Sequence, residues 1–194
     1  MSKGERLLKP MQDKSRQKHV VLFGGSFNPP HIGHRQVLEH LVALKKFDEV
    51  WVVPSYAHPF EKGLIPFEHR EKMCHLLIEG LDSLVKVLPI EEELKKNPSY
   101  TIDVVTELKQ RFPNAQFHLA IGSDCKNDLP RWHRYEDLKR LVQCYFIPRF
   151  GIEPSPFAAI SSSEVRMMIK NRKPCEAWVS PKVKKYIEDH KLYV

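Results

Sequence analysis

Short apolar runs that stop at glycine or proline alternate with stretches of helical spacing along almost the whole chain, and this alternation restricts the fold most. His19–Gly24 (HVVLFG) is apolar and ends at a Gly-Gly pair, as a buried strand does. From 31 to 46, Val37, Leu38, Leu41, Val42 and Leu44 recur at helical spacing, and 49–53 (EVWVV) is a second strand stopped by Pro54. A β-α-β start implies a parallel sheet with a right-handed crossover. Further on, helices are expected over 66–80, 101–112, 135–141, 162–170 and 181–190, a short turn near Glu176, and strands over 84–88, 116–121 and 143–147. Ser180 followed by Pro181 is a strong helix start. The expectation is an α/β, Rossmann-like doubly wound parallel sheet of about five strands with a C-terminal helical segment. In such folds ligands sit beyond the carboxyl ends of the strands.

Length and composition narrow the function classes. A chain of 194 residues with 42% hydrophobic residues can bury a core without disulfides or metals. No apolar run reaches the ~18–20 residues of a membrane helix, and the polar N-terminus has no secretory apolar region. The four cysteines, Cys74, Cys125, Cys144 and Cys175, show no C-x-x-C spacing, so reduced thiols and a cytoplasmic setting are expected, with no protein-held metal. The net charge of +7 is uneven. Residues 1–18 hold six basic and two acidic side chains, and the rest of the chain carries only +3. That suits a polyanionic small ligand better than a nucleic-acid stripe. Residues 1–18 are expected to be a disordered basic tail, and 19–194 a single domain.

The segment after the first strand is Gly24-Gly25-Ser26-Phe27-Asn28-Pro29-Pro30-His31-Ile32-Gly33-His34. Glycines let backbone approach an anion, Ser26 and Asn28 can donate to it, and a helix N-terminus adds about half a positive charge. His31 and His34 share the first turn of a helix face. Gly33 removes a side chain where a flat ligand could pack. The segment is neither G-x-x-x-x-G-K-[ST] nor G-x-G-x-x-G. After the fifth strand, Ile160-Ser161-Ser162-Ser163-Glu164-Val165-Arg166 has capping-box spacing between Ser161 and Glu164 and projects Arg166 from the first turns of a helix.

Together these segments resemble the H-x-G-H nucleotidyltransferases, whose signatures are G-G-[ST]-F-[DN]-P-x-H-x-G-H and I-S-S-T-x-I-R. Here Ser163 and Val165 replace Thr and Ile. The resemblance spans about 19–191. It implies ATP phosphates bound by Gly24, Gly25, Ser26, Phe27, Gly33 and Ile160, Ser161, Ser162 and Ser163, with His31, His34 and Arg166 stabilising an in-line attack on the α-phosphorus. No covalent enzyme intermediate is implied, and Mg²⁺ is expected with ATP, held by substrate oxygens and water.

The middle of the chain resembles the branch acting on nicotinate mononucleotide. Asn97-Pro98-Ser99-Tyr100-Thr101-Ile102-Asp103 is similar to its P-S-Y-T-x-D segment, and Gly122-Ser123-Asp124 followed by Trp132 to its G-[AS]-D…W pattern. Val53-Pro54, His58-Pro59, Lys62, Phe67, Arg70 and Met73 resemble its V-P…P-H-K…F…R…M stretch, although His and Lys are adjacent there and separated here. The resemblance implies that Gly122 and Asp124 meet ATP. It implies that Asn28, Arg70, Tyr100, Thr101, Trp132 and either His58 or Lys62 meet the acceptor. Trp132 offers a flat face to a pyridine ring. The expected reaction joins ATP and nicotinate mononucleotide into nicotinate adenine dinucleotide and pyrophosphate, a step of NAD biosynthesis. Nicotinamide mononucleotide and phosphopantetheine are alternative acceptors, and a non-catalytic nucleotide- or nucleic-acid-binding protein is a remote alternative.

Overall fold

The computed structural model describes residues 17–57, 63–148 and 153–194. Five parallel strands form one sheet: β1 (Lys18–Gly25), β2 (Glu49–Pro54), β3 (Val85–Val87), β4 (Ala115–Gly122) and β5 (Val142–Ile147). Their order is β3-β2-β1-β4-β5. The chain steps outward on one side of β1, then returns to its other side at β4. The loops leaving β1 and β4 therefore diverge and open a crevice at the carboxyl edge.

The helices are α1 (Ile32–Ala43), α2 (Phe67–Ile78), α3 (Ile90–Leu94), α4 (Thr101–Arg111), α5 (Tyr135–Leu141), α6 (Ser162–Lys170) and α7 (Pro181–Asp189). β1 is buried on both faces, which explains its unbroken apolar run. Val20 and Leu22 join Trp51, Val105, Leu108 and Phe117 in one core layer, facing α4 and α5. Val21 joins Phe27, Leu38, Leu41, Val52 and Leu77 in the other, facing α1 and α2. A third cluster is built from Met73 of α2, Val165 of α6, and Val183 and Ile187 of α7. It fastens the C-terminal helices beside the start of α1.

The expected elements agree with this architecture to within one to three residues at their ends. Lys18, read as tail, opens β1. The first helix ends at Ala43 rather than 46, with Lys45 in the left-handed region just beyond. Helix α3 is not foreseen, because five residues are too short to show a period. Ile90, fully buried, anchors it, and the Glu91 carboxylate accepts the Tyr56 backbone N–H at 2.9 Å. Two single-turn 3₁₀ segments, Ser123–Cys125 and Leu129–Arg131, are likewise unforeseen. Residues 1–16 of the basic tail lie outside the described residues, as do residues 58–62. Among the described residues no helix is long and apolar enough to cross a membrane.

Candidate active site

The loop leaving β1 turns sharply at Phe27, which has φ 47°. A bulky residue pays about 1–3 kcal/mol for that conformation unless its surroundings hold it there. They do. The ring is 1% exposed, edge-on to Phe23 with centroids 5.7 Å apart and 4.9 Å from the His34 ring. Gly25 stands beside the same ring, where an added Cβ would lie 3.4 Å from it.

His31 is the N-cap of α1 and is almost fully buried. Its backbone N–H donates to Nδ1 of His34 at 3.1 Å, and the two rings lie 3.7 Å apart between centroids. Because Nδ1 of His34 accepts, the proton of the neutral His34 ring sits on Nε2. Gly33 is explained by this pair. A Cβ there would be 3.1 Å from Nδ1 of His31 and 3.4 Å from the Ala158 carbonyl. On the side where a side chain would point, Gly33 thus makes room for the His31 ring. One helix-terminal donor is also spent: the Ile32 N–H donates to the Trp178 carbonyl at 2.7 Å.

The second motif closes onto the first. Ser161 caps α6 through a capping box: its hydroxyl accepts from Glu164 N–H at 3.2 Å, and its own N–H donates to the Glu164 carboxylate at 2.7 Å. The hydrogen bonds from Ser161 hold the Glu164 carboxyl below the usual carboxylate range. Ser162 donates to the Pro29 carbonyl at 2.8 Å. Arg166 donates to the Asn28 carbonyl at 2.6 Å and to the Ser163 hydroxyl at 3.0 Å. Ile160 is buried beneath them, and the Ala158 N–H donates to Gln36 of α1 at 2.7 Å. Both motifs and the start of α1 thus form one hydrogen-bonded unit.

Gly122 ends β4, and Asp124 is exposed in the following 3₁₀ turn. Tyr100 caps α4 and Thr101 opens it. Tyr100 and Trp132 are partly buried against the same core layer. The His133 ring stacks on Tyr100, 4.2 Å between centroids and 25° between planes. The sequence reading overlooks His133, although it adjoins Trp132. Ser99 ties this region to the end of β2, accepting the Ala57 N–H at 3.1 Å.

Two expected acceptor contacts are used inside the protein instead. Arg70 is 1% exposed and donates to the carbonyls of Ile65, Ser26, Ser55 and Tyr56, clamping the loops after β1 and β2 to α2. A guanidinium so enclosed holds the site's walls and presents no face to a ligand. Asn28 is 0% exposed, and its Oδ1 accepts the Tyr193 hydroxyl at 2.9 Å. Neither use is legible in sequence, because the partners are carbonyls and a tyrosine distant along the chain. His58 and Lys62 lie outside the described residues.

Paired histidines, serines at a helix start and an arginine, gathered at the switch point of a parallel sheet, define a nucleotide-handling site. Residues 22–168 match the cytidylyltransferase-like family model, and the chain belongs to that family. Its relatives narrow the assignment. The nicotinate-nucleotide adenylyltransferase of Bacillus subtilis is 35% identical over 188 residues, covering 91% of this chain and 98% of its own. A relative in Myxococcus xanthus, described as a probable nicotinate-nucleotide adenylyltransferase, is 36% identical over 182 residues, covering 90% of this chain and 94% of its own. Within the family, the chain belongs to the nicotinate-nucleotide adenylyltransferases. The nicotinic acid mononucleotide adenylyltransferase of Plasmodium falciparum, solved in complex with NaAD, superposes with a TM-score of 0.76 at 24% identity, covering 91% of this chain and 97% of its own. That likeness establishes the shared fold.

Proposed function

We propose that this chain transfers the adenylyl group of ATP to nicotinate mononucleotide, forming nicotinate adenine dinucleotide and pyrophosphate. An oxygen of the mononucleotide phosphate attacks the α-phosphorus, and the bond from that phosphorus to the bridging oxygen of pyrophosphate breaks in line. The nucleophile belongs to the substrate, so the protein's task is positioning and charge stabilisation. The observation that carries this reading is the closure of the two motifs, with Arg166 and Ser162 bonded to the Asn28 and Pro29 carbonyls beside the His31–His34 pair.

In this reading His34 presents its Nε2–H to the α-phosphate, and His31, packed against it, fixes that ring. The exposed Gly24, with Gly25 and Ser26, admits the phosphate chain. Ser163 and Arg166 meet the β- and γ-phosphates from α6. Ser161 and Ile160 act indirectly, by capping and seating that helix. Asp124 accepts from the adenosine ribose beside Gly122. Tyr100, Thr101 and Trp132 receive the pyridine ring, and the N-terminus of α4 favours its carboxylate. Arg70 shapes these loops without touching substrate.

Mg²⁺ supplies charge neutralisation on the ATP phosphates. Among the described residues no three His, Cys, Asp or Glu side chains gather to hold a metal, and the hydroxyls and amides present suit an ion carried by substrate oxygens and water.

The test is pyrophosphate release by the purified chain with ATP and Mg²⁺, with nicotinate and nicotinamide mononucleotides compared in parallel. The expected result is a strong preference for the nicotinate form. Preference for the amide would overturn the acceptor assignment and leave the chemistry. Absence of release with either would overturn adenylyl transfer to a pyridine mononucleotide.

A further inference from the structure

Asn28 occupies an unusual position in this site. Its backbone carbonyl holds Arg166, while its side chain is completely buried and bonded to a residue 165 positions away. That residue, Tyr193, lies beyond α7 in the left-handed region, with φ 65°. It is held there by the packing of its neighbours: the Leu192 N–H donates to Ile187 at 3.0 Å, and Leu192 is buried in the third cluster. α7 is itself fastened to α2, where the Tyr186 hydroxyl and Nδ1 of His69 lie 2.9 Å apart.

A carboxamide has one accepting and one donating end, and its neighbours determine which way it faces. At Asn28 the Nδ2 end meets no acceptor among the described residues, whereas Oδ1 receives the Tyr193 hydroxyl. The tyrosine is therefore the side chain that sets the amide's orientation. Asn28 sits between the strained Phe27 and the Pro29 carbonyl that Ser162 grips, so a rotation there reaches both clasps of the second motif.

We infer that Tyr193 is a positioning residue for adenylyl transfer: its hydroxyl locks the Asn28 carboxamide and, through the Asn28 and Pro29 carbonyls, fixes where α6 presents Arg166. The inference rests on the function proposed above. It makes the C-terminal helix and its exit segment part of the active-site frame, with the β1 loop held from behind by Tyr193 and from the front by α6.

The experiment is a double-mutant cycle with Tyr193→Phe and Asn28→Ala, reading kcat, KM for ATP, Tm, and the ¹⁵N-NMR signals of the Asn28 side-chain amide. Tyr193→Phe is expected to lower kcat about tenfold through misplacement of the reacting groups, with Tm little changed and the amide signals shifted. In the Asn28→Ala background it is expected to cost little more, because the path to Arg166 is already cut. Tyr193→His, whose ring N–H can also donate to Oδ1, is expected to recover part of the loss, and it carries the same comparison if Tyr193→Phe does not fold. Wild-type kcat in Tyr193→Phe, or an equal loss in both backgrounds, would overturn the inference. If the wild-type chain turns over neither acceptor, the proposed function fails on that control alone. The amide signals then still decide the Tyr193–Asn28 link, unchanged signals in Tyr193→Phe overturning it.

Discussion

The hydroxyl of Ser162 donates to the carbonyl of Pro29 at 2.8 Å, across 133 residues of sequence. This bond, with that of Arg166 to the adjacent Asn28 carbonyl, joins a loop after β1 and a helix after β5 into one surface. Replacing Arg166 tests that surface. Lysine is shorter and lacks the planar fork whose two nitrogens separately reach the Asn28 carbonyl and the Ser163 hydroxyl. Arg166→Lys is expected to lower kcat/KM for ATP by at least ~10-fold, one lost charge-assisted contact. Ser163→Ala should cost far less. Steady-state kinetics of the two variants decide this.

His34 is expected to carry the largest single effect. His34→Ala removes the Nε2–H donor and also the acceptor for the His31 backbone N–H. Turnover is predicted to fall at least ~100-fold, the usual cost of losing a donor to developing charge. Near-wild-type turnover in a variant with native circular dichroism would remove His34 from the chemistry.

Gly33→Ala separates packing from chemistry. Its Cβ would press on the His31 ring at 3.1 Å, with the Ala158 carbonyl blocking retreat at 3.4 Å. The variant is predicted to lose about 1–3 kcal/mol of stability from overpacking. It should also lose turnover, because the histidine pair shifts. Denaturant titration and kinetics on the same sample check both.

Arg70→Met is predicted to be among the most destabilising substitutions. It leaves the carbonyls of Ile65, Ser26, Ser55 and Tyr56 without their buried donor. At about 1–3 kcal/mol for each buried polar group left unsatisfied, a total above ~3 kcal/mol is expected, with soluble expression reduced. Unaltered Tm would show that the clamp is dispensable.

Stability should also depend on His118, away from the site. Burial, then the neighbouring His19 ring at 3.1 Å and Lys109, holds its pKa below the ordinary histidine value. The unfolded chain therefore binds a proton more readily than the folded one, and stability rises with pH across that range. It is expected to be fully present above pH 6.5 and to be lost as pH falls below it toward the folded pKa. His118→Gln is predicted to flatten this part of the Tm-versus-pH curve; an unchanged slope would refute the assignment.

The strand–helix alternation was legible because period and punctuation are local. β1 reads as a strand since both of its faces are buried, and α7 because Ser180 and Pro181 mark its start. The same holds for the capping box of Ser161 and Glu164, which lies within one turn. Helix α3 was illegible because its stability comes from Ile90 and the Glu91 contact with Tyr56, both tertiary.

The candidate site divides along the same line. Sequence alone marked the residue types proposed to meet phosphate: two histidines three apart, glycines after a strand, serines and an arginine at a helix start. Tertiary structure alone decided what each does with its bonds. It turned Arg70 inward onto four carbonyls, buried Asn28 against Tyr193, set the His31 ring beside Gly33 and set His133 on Tyr100. The physical reason is that periodicity and capping are set by neighbours along the chain. A buried donor takes whichever acceptor the fold brings to it, and that acceptor is most often a backbone carbonyl, which every residue carries and no sequence pattern marks.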